Sequence, residues 1–94
     1  MPFTTPPRPF TKQDVMSLME GQNGVYGLRS TFRWVYVGKG DIRARLLGHL
    51  NGDNPCITRE RPNTWYGEVY GNDPSAREKQ LIAELDPVCN RKLT

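Results

Sequence analysis

No stretch of this chain is apolar for long enough to cross a membrane as a helix, and the opening MPFTTPPRPF lacks the apolar centre of a signal peptide. A soluble, cytoplasmic protein is therefore expected. Cysteine is scarce: Cys56 and Cys89 stand far apart, with neither a C-x-x-C pair nor a Cys/His spacing, so no zinc site or redox motif is indicated. Two reduced thiols are the expected state, and a single disulfide stays open. The phosphate-loop pattern G-x-x-x-x-G-K-[ST] is also missing, which makes nucleotide hydrolysis a poor reading.

With 94 residues there is room for one compact domain and a modest core. Proline and glycine are plentiful but dispersed, so the chain should fold from residue 11 to residue 94. Residues 1–10 read as a proline-rich arm, disordered or extended, because their prolines remove donors and fix φ, with Phe3 and Phe10 as the side chains it offers for packing. The formal net charge is +3. Its distribution says more: Arg29, Arg33, Lys39, Arg43, Arg45, Arg59 and Arg61 fall in mid-chain, against Asp41, Asp53 and Glu60. That pattern attracts polyanions weakly, and on charge alone an ordinary solvated surface fits as well.

Thr11 is a good N-cap for a helix through Glu20, with Val15, Leu18 and Met19 on one face and Gly21 ending it. Two strands follow, Val25 to Arg29 and Arg33 to Gly38, joined by Ser30, Thr31 and Phe32. Period-two alternation sets Val35 and Val37 on one face and Trp34, Tyr36 and Gly38 on the other. Gly38-Lys39-Gly40-Asp41 reads as a tight turn able to hold a phosphate on backbone amides, with Asp41 capping a helix from Ile42. Asn51 to Asn63 reads as a turn-rich loop that carries Arg59 and Arg61. TWYGEVY, from Thr64, reads as a third strand, and Asp73-Pro74 opens a last helix that runs to Leu85.

That last helix contains the clearest anomaly. At about 100° per residue, Leu81, Ile82 and Leu85 form its only apolar stripe, and Glu78 lies in the middle of it while Arg77 and Lys79 face outward. A carboxylate on such a seam needs a cationic partner, either an arginine or a metal ion. On the helix after Asp41, Ile42, Leu46, Leu47 and Leu50 define an apolar arc that includes Arg43. Arg45 and His49, four residues apart, share a face at the edge of that arc and could address one phosphate.

Gly24-Val25-Tyr26 and Tyr36-Val37-Gly38, followed in order by Arg45, His49, Glu78 and Asn90, resemble the signature of the GIY-YIG nucleases. The resemblance spans Gly21 to Lys92, and valine in place of isoleucine in both tripeptides is its mild departure. It implies a small α/β domain: a three-stranded, mainly antiparallel sheet flanked by helices. It further implies metal-dependent hydrolysis of phosphodiesters, with DNA as the expected substrate and RNA left open. Glu78 would hold one divalent cation, Mg²⁺ or Mn²⁺. Tyr26 would be the general base, assisted by Tyr36 or His49, and Arg45 would hold the charge that builds on phosphorus.

A phenol with an ordinary pKa of about 10 needs a cationic neighbourhood to accept a proton, expected from Lys39, Arg45 and the metal. Lys39, Arg43 and Asn90 are the expected substrate contacts. Backbone contacts alone give little sequence selectivity, and no helix-turn-helix pattern is present, so a homodimer or a separate subunit would supply specificity. The competing class is a nucleic-acid-binding module without turnover, or a nuclease-like subunit acting through a partner. It accounts for the basic centre but not for Glu78.

Overall fold

The computed structural model describes residues 2–91, so the expected end of the domain at residues 92–94 lies outside the described residues. The chain runs β1 (Arg8–Pro9), α1 (Lys12–Met16), β2 (Asn23–Arg29), β3 (Trp34–Asp41), α2 (Ile42–Leu50), α3 (Pro55–Glu60), β4 (Thr64–Val69) and α4 (Ser75–Leu85), then a 3-10 turn at Val88–Asn90. The sheet is antiparallel throughout, in the order β1-β4-β2-β3.

It has four strands where the sequence suggested three. The extra strand comes from the proline-rich arm, where Arg8 pairs with Trp65 and Pro9 with Thr64. A proline can serve there because β1 is a sheet edge, where its missing N–H costs no ladder bond. The arm is thus built into the fold, not an appendage. Phe3 is buried, stacked on Tyr66 at 5.3 Å between ring centroids. Arg77, assigned to the outer face of α4 by periodicity, instead reaches inward. Its Nε donates to Glu68 Oε1 at 3.0 Å, it also donates to the Pro2 carbonyl, and Thr4 N donates to Glu68 Oε2 at 2.8 Å. Glu68 is thereby both buried and satisfied.

Two clusters sandwich the sheet. One gathers Tyr26, Leu28, Val35 and Trp65 with Val15 of α1, Ile42 and Leu46 of α2, and Ile57 of α3. The other joins Val25, Val37 and Tyr66 to Phe3 and to Leu81 of α4. Strict alternation had placed Val35 with Val37. The structure separates them because the ladder steps from Leu28↔Tyr36 to Arg29↔Trp34, leaving Val35 as the extra residue of a bulge. Trp34 accordingly packs beside Val37, 5.0 Å from Tyr66 between centroids.

The supposed glycine turn is strand. β3 keeps pairing through Gly40↔Gly24 and Asp41↔Asn23 before α2 begins, so there is no free loop to cradle a phosphate. Asp41 does cap α2, its carboxylate accepting from Ala44 N at 3.2 Å. Residues 51–63 are not all loop either. Asn54 accepts from the backbone N–H groups of Cys56 and Ile57 with Pro55 next in line, a complete start signal for α3.

α3 brings Cys56 to the 3-10 turn, where it forms a disulfide with Cys89 across 33 residues. Two reduced thiols were the expectation, and the distance between the cysteines in sequence concealed their proximity in space. The cytoplasmic expectation loses the support it drew from free thiols. Among the described residues, no helix is long and apolar enough to cross a membrane.

Candidate active site

The site grows from the β2–β3 pairing. Tyr26 lies opposite Gly38, and Leu28 opposite Tyr36, so both tyrosines emerge on the same face of the sheet. Gly38 is required there, because a Cβ at that position would collide with the Tyr26 phenol and the Tyr36 ring. The two rings lie 6.2 Å apart between centroids, and Tyr26 is only 1% exposed.

α2 supplies the partner for Tyr26. His49 follows Ile42 by two turns and Leu46 by one, which sets it beside the helix's apolar face, and the contact with Tyr26 turns its ring inward. It is 8% exposed, deeper than the rim position that periodicity suggested. Its Nε2 lies 2.7 Å from Tyr26 Oη, and its Nδ1 lies 2.8 Å from Asp53 Oδ1. A carboxylate can only accept, so Nδ1 carries the proton toward Asp53. In the neutral ring Nε2 is then the acceptor, and the phenol donates to it. Asp53 was not singled out from the sequence. The signal was its position four residues beyond His49, but Gly52 beside it made it look like a turn residue.

Arg45 and His49 differ in setting, because His49 faces Tyr26 while Arg45 is exposed. Arg45 Nε is 3.5 Å from the Lys39 carbonyl, a weak contact, which leaves the guanidinium at the rim of the cleft. Its charge still reaches the two phenols, favouring their ionisation. Other forces outweigh it. Burial, then the neighbouring Tyr36 and the carboxylates of Asp53 and Glu78, hold the Tyr26 phenol well above its ordinary value. Burial, Glu78 and Asp53 also raise Tyr36. Lys39, also expected to supply positive charge, donates to Ser75 at the start of α4, and its charge is not among those that shift either phenol.

Glu78 stands in the first turn of α4, half-buried, with its charge close enough to be felt by both phenols. Among the described residues it makes no side-chain hydrogen bond and no ion pair. The adjacent arginine, Arg77, is committed to Glu68. Its donor set suits a hard divalent cation that keeps most of its waters. Among the described residues no group of three or more His, Cys, Asp or Glu converges.

Two expected substrate contacts are placed elsewhere. Arg43 pairs with Glu20 at 2.6 Å on the α1 side of the molecule. Asn90 turns its amide onto the free edge of β3, accepting from Val37 N at 2.7 Å and donating to Val37 O at 2.9 Å. It completes the sheet as a further strand residue would.

No protein-family sequence model matches the chain, and no curated protein matches it in sequence. Solved structures do match in shape. The GIY-YIG N-terminal endonuclease domain of UvrC from Thermotoga maritima, bound to its catalytic magnesium, superimposes with a TM-score of 0.72 at 24% identity over 85% of this chain and 96% of that one. A point mutant of the same domain, bound to its catalytic divalent cation, gives a TM-score of 0.72 at 22% identity over 86% of this chain and 96% of that one. The chain has the fold of the GIY-YIG endonuclease domains.

Proposed function

We propose that the protein is a metal-dependent phosphodiesterase that cuts DNA endonucleolytically. The observation that carries this reading is the half-buried carboxylate of Glu78, left without a partner among the described residues and felt by two neutral phenols. A structural acid in that place would be paired, as Glu68 is. A divalent cation, Mg²⁺ or Mn²⁺, held by Glu78 would supply positive charge at the phosphate oxygens.

The chain's own residues then divide the remaining work. Tyr26 takes a proton from the attacking water while giving its own to His49 Nε2, so the buried phenol need not ionise beforehand. Asp53 keeps the ring in the accepting tautomer and offsets the charge it gains. Tyr36 packs edge-on against His49 and walls the relay from solvent. Arg45, exposed at the rim, holds a non-bridging phosphate oxygen as negative charge accumulates. The water oxygen bonds to phosphorus, the opposite P–O bond breaks, and the leaving oxygen departs with its electron pair. Specificity, or a second-strand cut, comes from another copy of the chain or a separate subunit. The cytoplasm is the proposed compartment.

Nicking of supercoiled plasmid in Mg²⁺ or Mn²⁺ tests the reading. Activity in the native protein, lost with EDTA, Glu78→Ala and Tyr26→Phe, is expected. Binding without nicking under every metal tried would replace it with the non-catalytic binding module.

A further inference from the structure

The tip of the β2–β3 hairpin is built unlike the rest of the surface. Phe32 is 89% exposed, the one aromatic among the large apolar side chains left in solvent in the described residues. The turn beneath it is firmly held. Ser30 Oγ accepts from the backbone N–H of Phe32 at 3.3 Å and of Arg33 at 3.2 Å, and Ser30 N donates to Arg33 O at 2.9 Å. The neighbouring loop braces it, with Asn63 Nδ2 donating to Thr31 Oγ1 at 2.9 Å and Arg33 bonded to Glu60 at 2.8 Å. A large apolar ring is thus presented to water on a rigid stalk. No folding role explains it.

Beside Phe32 opens a cleft of about 650 Å³ whose lining includes Arg33, Arg59, Glu60, Arg61 and Asn63. Glu60 is already neutralised by Arg33, whereas Arg59 and Arg61 form no ion pair among the described residues. A bare aromatic flanked by free guanidiniums complements a planar base flanked by phosphates. A second copy of this surface would bring arginine against arginine. Phe32 stands four positions before Tyr36, a span of roughly 13 Å of extended chain. That is about four nucleotide steps along a strand.

Resting on the nuclease reading above, we propose that this tip docks an unpaired nucleobase of the DNA substrate. Phe32 stacks on the face of the extruded base and Arg59 and Arg61 hold the phosphates on either side. The site selects DNA with a bulge or mismatch within a few nucleotides of the bond to be cut.

Binding is measured with full-length Glu78→Ala protein, which keeps the tip but not the proposed metal ligand. The probes are a fully paired duplex and the same duplex with a single bulged 2-aminopurine, at one fixed salt concentration. The bulged duplex should bind about tenfold more tightly and show a protein-dependent change in 2-aminopurine emission. Adding Phe32→Ala should abolish both differences and leave paired-duplex affinity unchanged, while Phe32→Trp should preserve them. Arg59→Ala should weaken both duplexes alike and flatten the salt dependence. Equal affinity for the two duplexes overturns the proposal, as does a preference that survives Phe32→Ala, or self-association lost in Phe32→Ala without any preference for the bulge. Because the readout is binding by a non-cutting variant, plasmid nicking by the native protein decides the nuclease reading separately.

Discussion

The Tyr26 phenol lies 2.7 Å from Nε2 of His49, both groups are nearly sealed from solvent, and Asp53 holds the far side of the imidazole at 2.8 Å. This arrangement resolves a conflict in the site's electrostatics. Burial keeps the phenol protonated, which would disable a base that had to ionise in advance. With an imidazole in contact, the proton can leave at the moment another arrives.

The relay makes a first prediction. Tyr26→Phe and His49→Ala should each lower the nicking rate by about 10²–10⁴-fold. In Asp53→Asn the ring loses the carboxylate that fixes its tautomer, so the nicking rate should fall by about 10²-fold with the melting temperature little changed. An unaltered rate in Asp53→Asn would reduce Asp53 to a turn residue.

Glu68 and Glu78 should respond in opposite ways. Glu68→Ala leaves the partly buried Arg77 without its counter-charge and removes the bond that holds the arm at Thr4, so stability by denaturant titration should fall by about 1–3 kcal/mol. Glu78→Ala removes no side-chain hydrogen bond or ion pair to the described residues and should abolish metal-dependent nicking without lowering stability. Isothermal titration with Mn²⁺ should detect a site in the native protein that is missing in Glu78→Ala.

Acid should loosen the arm first. Burial alone would raise the Glu68 carboxyl, but hydrogen bonds from Arg77, Thr4 and Tyr70 overcome it and lower it from 4.5 to about 2. A depressed carboxyl stabilises fully above its unfolded value, and that contribution is lost as pH falls through the interval from 4.5 to about 2. The Glu68→Gln variant should lack this acid-dependent segment of the stability curve. Tyr26 acts at the other end: its raised phenol contributes below its ordinary value of about 10, and the contribution declines as pH rises further.

Reduction of Cys56–Cys89 releases a constraint across 33 residues. On chain-entropy grounds the reduced protein should be less stable by about 3–4 kcal/mol. Melting with and without dithiothreitol, and of Cys56→Ser, checks this.

Asn90→Ala should cost about 1–3 kcal/mol, because the Val37 N–H and C=O lose their partner. At temperatures where the variant is folded, its nicking rate should stay within about threefold of native, whereas a direct contact with DNA would cost more. Asn90→Asp keeps the acceptor and loses the donor, and should fall between the two in stability.

Local rules set much of this molecule. The hairpin, the Asp41 cap, the extent of α2 and the unusual place of Glu78 all follow from spacing and from residues within a few positions of one another. Those are short-range effects, and a linear chain records them. Proximity between distant residues is not recorded in that way. Nothing adjacent to Arg77 announced Glu68, nothing near Cys56 announced Cys89, and the inward turn of His49 depended on a tyrosine 23 residues earlier in the chain. Packing decided which arginine was used up, which glutamate was left without a partner, and which way the histidine faced, because each outcome depends on what the sheet and helices bring together once folded.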